Sequence, residues 1–275
     1  MASRVSSPED AGCFCFYLDS GLTRALPKER TKRALCPLFI AQPITIVNHI
    51  NLNNPTMNTL KEVYEKHAEG LMTLYAELEK SDLYDGCSYP LLLSTWDEEP
   101  TPKAMFFGQE TNGWGDSETI DGLMAGYRRF NLGANYPSLF WQYLWSMSDK
   151  LGLTGNHPFL WNNVNKFGKV DSKGRPEATV TELENKYFNV TAEELKVVKP
   201  EVCIFFTGPN YDEDIRAKLP DVEFLPIEGY ESRWFARLKS KHLPENSFRT
   251  YHPGYGNREY EWYQGVMDKI VELSK

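Results

Sequence analysis

The sequence predicts an α/β fold, a mostly parallel sheet covered by helices on both faces. Three observations predict it. Candidate strands, apolar runs at 103–108, 158–162 and 202–207 and a mixed run at 248–251, each end abruptly in glycine or polar residues. Stretches with apolar residues at three- and four-residue steps lie between them. Strands that alternate with helices in this way bury both sheet faces, which favours parallel pairing.

Taken in order, the first periodic stretch begins at Met57, where Leu60, Val63, Tyr64, His67, Leu71, Leu74, Tyr75 and Leu78 mark one helical face. The strand at 103–108 follows, then a strongly apolar, aromatic helix at 138–151 and the strand at 158–162. A helix at 191–198 opens on Thr191-x-x-Glu194, the pattern of a capping box, and stops before Pro200. The strand at 202–207, a helix at 211–219, an extra strand or connector at 222–227, the strand at 248–251 and a helix at 258–273 complete the reading.

Residues 1–56 differ from the rest. They mix Ser, Pro and basic residues with short apolar runs and sustain neither period. The expectation is a leader, 1–56, that is disordered or not native to the chain, followed by a single domain, 57–275. With 275 residues the chain is long enough to bury a sizeable core. The longest apolar stretch, 34–50, is interrupted by Pro37 and Pro43 and is too short to span a membrane. Five cysteines without zinc spacing, and no secretory signal, point to a reduced cytoplasmic protein.

Charge limits the partners. The formal net charge is −8, and residues 1–56 hold six Lys/Arg against four Asp/Glu, so residues 57–275 hold about −10. A duplex-DNA binder draws most of its affinity from phosphate contacts. Any nucleic-acid surface on this chain is therefore local.

Three strand ends carry candidate chemistry, and each has a plain alternative. In Gly108-Gln109-Glu110-Thr111-Asn112-Gly113-Trp114 an apolar run breaks into a polar turn. Either Glu110 or Asn112 satisfies backbone donors there, or Glu110 acts as a general base or electrostatic stabiliser. In Asn162-Asn163-Val164-Asn165-Lys166 the amides either cap the strand or read a pyrimidine edge, since an amide both donates and accepts. In Tyr251-His252-Pro253-Gly254 the imidazole is either structural or a neutral N–H donor for a developing anion.

As a set these segments resemble the uracil-DNA glycosylase superfamily over roughly residues 85–273. Gly108-Gln109-Glu110-Thr111-Asn112-Gly113 is similar to the family's water-activating Gly-Gln-Asp-Pro-Tyr-His, Asn163-Val164-Asn165-Lys166 to its base-reading Asn-Val-Val-Lys, and His252-Pro253-Gly254, after Thr250-Tyr251, to its terminal His-Pro-Ser. Lys199-Pro200, ahead of the apolar run 202–204, looks like the family's Lys-Pro and strand. Gly133-Ala134-Asn135-Tyr136 is similar to a Gly-Arg-Pro-Phe segment whose Phe stacks on the base.

The resemblance implies a three-layer α/β/α domain around a four-stranded parallel sheet, and cleavage of the N-glycosidic bond of uracil or a related damaged base. Glu110 and His252 would be catalytic. Gly108, Gln109 and Asn112 would line the substrate site, Asn163 would read the base edge with Asn162 as the adjacent alternative, and Tyr136 would stack on the base, with Trp114 or Phe130 next in line. The partner would be single- or double-stranded DNA with a flipped base, with no metal and no cofactor. The four cysteines of the family's iron–sulfur branch are missing, so no cluster is expected. Thr111-Asn112-Gly113 replaces Pro-Tyr-His, which removes the tyrosine that excludes a thymine methyl. The leucine wedge is also lost, leaving Tyr255 or Arg258 in its place. Two other readings stand beside this one: a non-catalytic nucleotide- or nucleobase-binding protein, and a small-nucleoside hydrolase.

Overall fold

Helices form where a cap and an apolar stripe coincide. In the computed structural model, which describes residues 59–96, 99–256 and 258–275, the first helix, α1 (Leu60–Lys66), is capped reciprocally: Thr59 accepts from Glu62 N, and Glu62 accepts from Thr59 N. Its stripe continues into α2 (Ala68–Lys80), but His67 breaks the single helix expected from periodicity into two. The described residues belong to one unit, Asn54–Lys275. The expected leader, 1–56, lies outside the described residues.

Strand β1 (Ala104–Gly108) is followed by α3 (Ile120–Phe130), capped by Thr119, and α4 (Leu139–Lys150), capped by Ser138. Next come β2 (Phe159–Asn163), α5 (Ala178–Tyr187), α6 (Thr191–Val198) and β3 (Val202–Phe206). A short turn, Pro209–Tyr211, leads to α7 (Asp212–Lys218), then β4 (Glu223–Pro226), β5 (Phe235–Lys239), β6 (Asn246–Thr250) and α8 (Tyr260–Leu273). The sheet order is β2-β1-β3-β6-β5-β4.

The class is α/β, and the four candidate strands are its parallel core: β2, β1, β3 and β6. The four-stranded count is corrected to six, because β5 pairs antiparallel with β6, and β4 antiparallel with β5. Extending the sheet with an antiparallel pair needs no crossover helix. All five positions of β1, β2 and β3 are buried, as a parallel sheet covered on both faces requires.

Alternation divides the side chains of the sheet. On one face Phe107 stacks on Phe205 with centroids 4.1 Å apart, and Asn162 reaches Met105 and then Glu194 of α6. On the other, Trp141 and Trp145 of α4 meet Trp161 and Phe159 at 5.0 and 5.1 Å, and Tyr143 carries α4 onto Tyr263 of α8. The outer edge of β2 is closed by α3: the Tyr127 hydroxyl accepts from Trp161 N at 2.9 Å and donates to Trp161 O at 3.0 Å. A single side chain thereby satisfies backbone groups that an edge strand leaves unpaired.

The first of these faces hides charge. Lys166 Nζ lies 2.7 and 2.8 Å from the two oxygens of Glu194 and 2.6 Å from Asn162 Oδ1. Glu194 also accepts from Tyr64 of α1 at 2.7 Å and from Asn162 Nδ2 at 3.0 Å. All four residues are buried. The expected Thr191–Glu194 capping box is therefore overturned: α6 has no side-chain cap, and Glu194 turns inward to Lys166 instead. Burial lowers the Lys166 pKa, and the Glu194 charge opposes that pull.

Removing one member of such a pair leaves a bare charge in the interior, at a cost of about 3–5 kcal/mol. Lys166→Met and Glu194→Leu are expected to lose that much separately in urea unfolding, with the double substitution recovering most of the loss. Single-variant losses below about 1 kcal/mol would contradict the network's role.

Candidate functional site

The carboxyl ends of β1, β2 and β6 open onto one cavity of about 600 Å³, in the position where parallel sheets place ligands. Glu110, Asn163 and His252 line it, together with Gly108, Gln109, Asn112 and Tyr136.

The loop after β1 is held by backbone on one side and a side chain on the other. Val164 N and Asn165 N donate to Gly108 O and Gln109 O, so the loops after β1 and β2 run side by side. Gln109 Nε2 donates to Thr207 O at 2.8 Å, fastening the loop to the end of β3. Asn112 is exposed at the rim and bridges to Lys169. Glycine is required at 108: a Cβ there would stand 2.5 Å from Asn163 Oδ1 and 3.1 Å from Phe140 Cζ.

That space is what lets Asn163 lie across the strand end. Trp161 Nε1 is a donor only, so the Asn163 atom it meets at 3.2 Å is Oδ1. Nδ2 is then left buried with no partner among the described residues. A buried amide donor without a partner costs about 1–3 kcal/mol, which a ligand acceptor would recover. Trp114 Nε1, on the same wall, is likewise buried and unpartnered among the described residues.

His252 stacks on Phe140, centroids 5.1 Å apart and planes 7° from parallel. Gly254 N donates to His252 Nδ1 at 3.0 Å, so a neutral ring carries its proton on Nε2. Burial pushes the imidazole pKa down to about 4, which keeps it neutral at physiological pH. Glu110 is moved the other way. Burial raises its carboxyl pKa, while the Tyr211 hydroxyl, donating to Oε2 at 2.5 Å, and the Arg175 charge oppose the rise.

Two expected site residues are placed elsewhere. Asn162 faces the opposite side of the sheet, because side chains alternate along a strand, and it is bound to Lys166 and Glu194. It supports Asn163 instead of sharing its place: Asn162 Oδ1 accepts from Asn163 N at 2.8 Å. Tyr255 is outside the cavity lining and stacks on Tyr251 at 4.6 Å. Arg258, the other wedge candidate, is packed over Trp234 at 4.0 Å and beside Tyr251 and Trp262. Tyr136 is at the rim, 53% exposed, and leans toward Phe130.

No family model and no characterised protein matches the chain. The site therefore rests on its own geometry.

Three residues that shape the cavity are not singled out by the motifs. Phe140 forms the inner aromatic wall, Trp161 fixes the Asn163 amide, and Tyr211 holds Glu110. The signal for Tyr211 was present: Gly208-Pro209 marks a turn at a fourth strand end.

The tautomer and its linkage give a direct check. Imidazole ¹⁵N spectra should show His252 protonated on Nε2 alone at pH 5.5, with a midpoint of about 4. Because the folded value lies below the unfolded one of about 6.5, stability is full above that pH and falls as pH drops from there toward 4. A His252 midpoint near 6.5 would contradict the assignment.

Proposed function

We propose that this cavity hydrolyses the N-glycosidic bond of a flipped nucleotide, excising uracil or a related damaged base, as a divergent member of the uracil-DNA glycosylase superfamily. The observation that carries the reading is the pairing of a carboxylate with a neutral imidazole donor and an amide with an open donor, all on one aromatic-walled cavity.

The chemistry asks for opposite charges on the two sides of the breaking bond. As it lengthens, the sugar gains oxocarbenium character and the base leaves as an anion. Glu110, ionised, offsets the sugar cation and orients the attacking water. The Nε2–H of His252 donates to the base oxygen as charge builds there. Asn163 Nδ2 meets an acceptor on the base edge. Phe140 and Tyr136 supply aromatic surface, and stacking on it contributes roughly 1–3 kcal/mol per base. Flipping costs a few kcal/mol, so stacking and edge contacts together are of the size needed to offset it.

A small-nucleoside hydrolase is the second reading, favoured by one observation: among the described residues Lys173 is the single Lys or Arg in the cavity lining, and the chain is acidic. The non-catalytic binding reading expects Glu110 to face away from the cavity, which it lines.

The test is base release from single- and double-stranded oligonucleotides bearing uracil, hypoxanthine or mismatched thymine, run beside the free nucleosides. Glu110→Gln and His252→Ala should each lower kcat roughly 100- to 1000-fold with the urea midpoint near that of the wild type. The rate should rise with pH through the raised Glu110 pKa and then stay level past 6.5, because the reactive imidazole is already neutral. Release from nucleosides alone would select the second reading. No release from any substrate by folded protein would reject both hydrolytic readings.

A further inference from the structure

We propose that Tyr211 and Arg175 are positioning residues for Glu110, holding its Oε2 so that Oε1 is the oxygen that acts. The reaction it serves rests on the glycosylase reading above, whereas the geometry stands apart from it.

The Pro209–Tyr211 turn follows β3 and sends Tyr211 across to the loop after β1, where its hydroxyl donates to Glu110 Oε2 at 2.5 Å. Glu110 Oε1 has no partner among the described residues. Burial and the Glu110 charge both raise the Tyr211 pKa, so the phenol keeps its proton and the direction of the hydrogen bond is fixed. The Arg175 guanidinium covers the Tyr211 ring, 4.4 Å from its centroid. Arg175 is itself fastened at 2.7 Å to Asn210 O and at 2.7 Å to Asp214 Oδ2, and Asp214 Oδ1 accepts from Asn165 Nδ2 at 3.3 Å. Three loops, after β1, β2 and β3, thus meet at the Tyr211–Arg175 stack.

The charges around Glu110 have definite signs. Tyr211, Arg175 and Lys169 favour its ionised form, while Asp214 and burial disfavour it. Lys173 and His252 share the cavity wall. A carboxylate with both oxygens free samples rotations about its last bond. With one oxygen held, the other is confined to a single direction, and confinement of that kind decides whether a reacting group is productively placed. The device also joins loop position to reactivity, because Arg175 lies one residue beyond the Lys173-Gly174 segment of the cavity wall.

Tyr211→Phe keeps the ring and its Arg175 contact and removes only the hydroxyl. The Glu110 carboxyl is followed by ¹³C NMR titration, assigned by its loss in Glu110→Gln, with urea midpoints confirming the fold. The titration midpoint of Glu110 is expected to rise in Tyr211→Phe and in Arg175→Gln. Where wild type releases base, kcat should fall on the order of 10- to 100-fold in Tyr211→Phe with KM little changed, and the acid limb should move up with the NMR midpoint. A midpoint that stays put or falls in both variants overturns the proposal, whatever the activity. A midpoint that rises in a protein with no base release supports the positioning role and sinks the glycosylase reading alone.

Discussion

The buried contact between Lys166 and Glu194 is the constraint on which the site depends. It joins the loop after β2 to α6, takes in Tyr64 from α1, and holds both ends of the Asn162 amide. Asn162 Oδ1 in turn accepts the backbone N–H of Asn163. Asn163, the residue proposed to read a ligand edge, is thus two hydrogen bonds away from an interior ion pair. A buried pair of this sort adds little net stability over apolar packing of equal volume. Its value lies in register. A slip of one residue in β2 would send Asn163 to the helical face and Asn162 to the cavity, leaving Lys166 without its carboxylate.

In the cavity two titratable groups are displaced in opposite directions. Burial pushes the Glu110 carboxyl up and the His252 imidazole down. Tyr211 and Arg175 act against the first shift, while Gly254 N–H at Nδ1 turns the second group into a donor of known direction. Separated pKa values of this kind are how one cavity holds a base and a hydrogen-bond donor together at neutral pH. Aromatic side chains, Phe140 among them, line the cavity beside these groups.

Much of the fold was legible in the sequence because fully buried parallel strands are written as unbroken apolar runs. β1, β2 and β3 are legible for that reason, whereas β6, Asn-Ser-Phe-Arg-Thr, is marked only by its last residues, ahead of the His252-Pro253-Gly254 turn. β5, Phe-Ala-Arg-Leu-Lys, is not legible, since a strand near the sheet edge mixes polar and apolar residues. The Thr191-x-x-Glu194 pattern misled because the string that caps a helix also occurs where the acid is turned inward to a buried lysine, and only tertiary packing distinguishes the two. At the site, Glu110 and His252 could be picked out by their place at strand ends. The preference for Asn163 over Asn162 rests on the family resemblance alone, since deciding it from the residues requires knowing which sheet face holds the cavity. The Gly208-Pro209 turn marks the place of Tyr211, but its pairing with Glu110, 101 residues away, is beyond the reach of any local pattern.

The most direct measurement of the central claim is binding without turnover. Oligonucleotides bearing 2′-fluoro analogues of deoxyuridine, thymidine and deoxyinosine resist cleavage, because the fluorine disfavours an oxocarbenium centre beside it. Titrated into ¹⁵N-labelled protein, one of them should shift the Asn163 side-chain amide and the His252 Nε2 resonance together, saturably, with the effect lost in Asn163→Ala. If none of them perturbs either resonance in folded protein, the cavity does not receive a flipped base and the account is wrong at its centre.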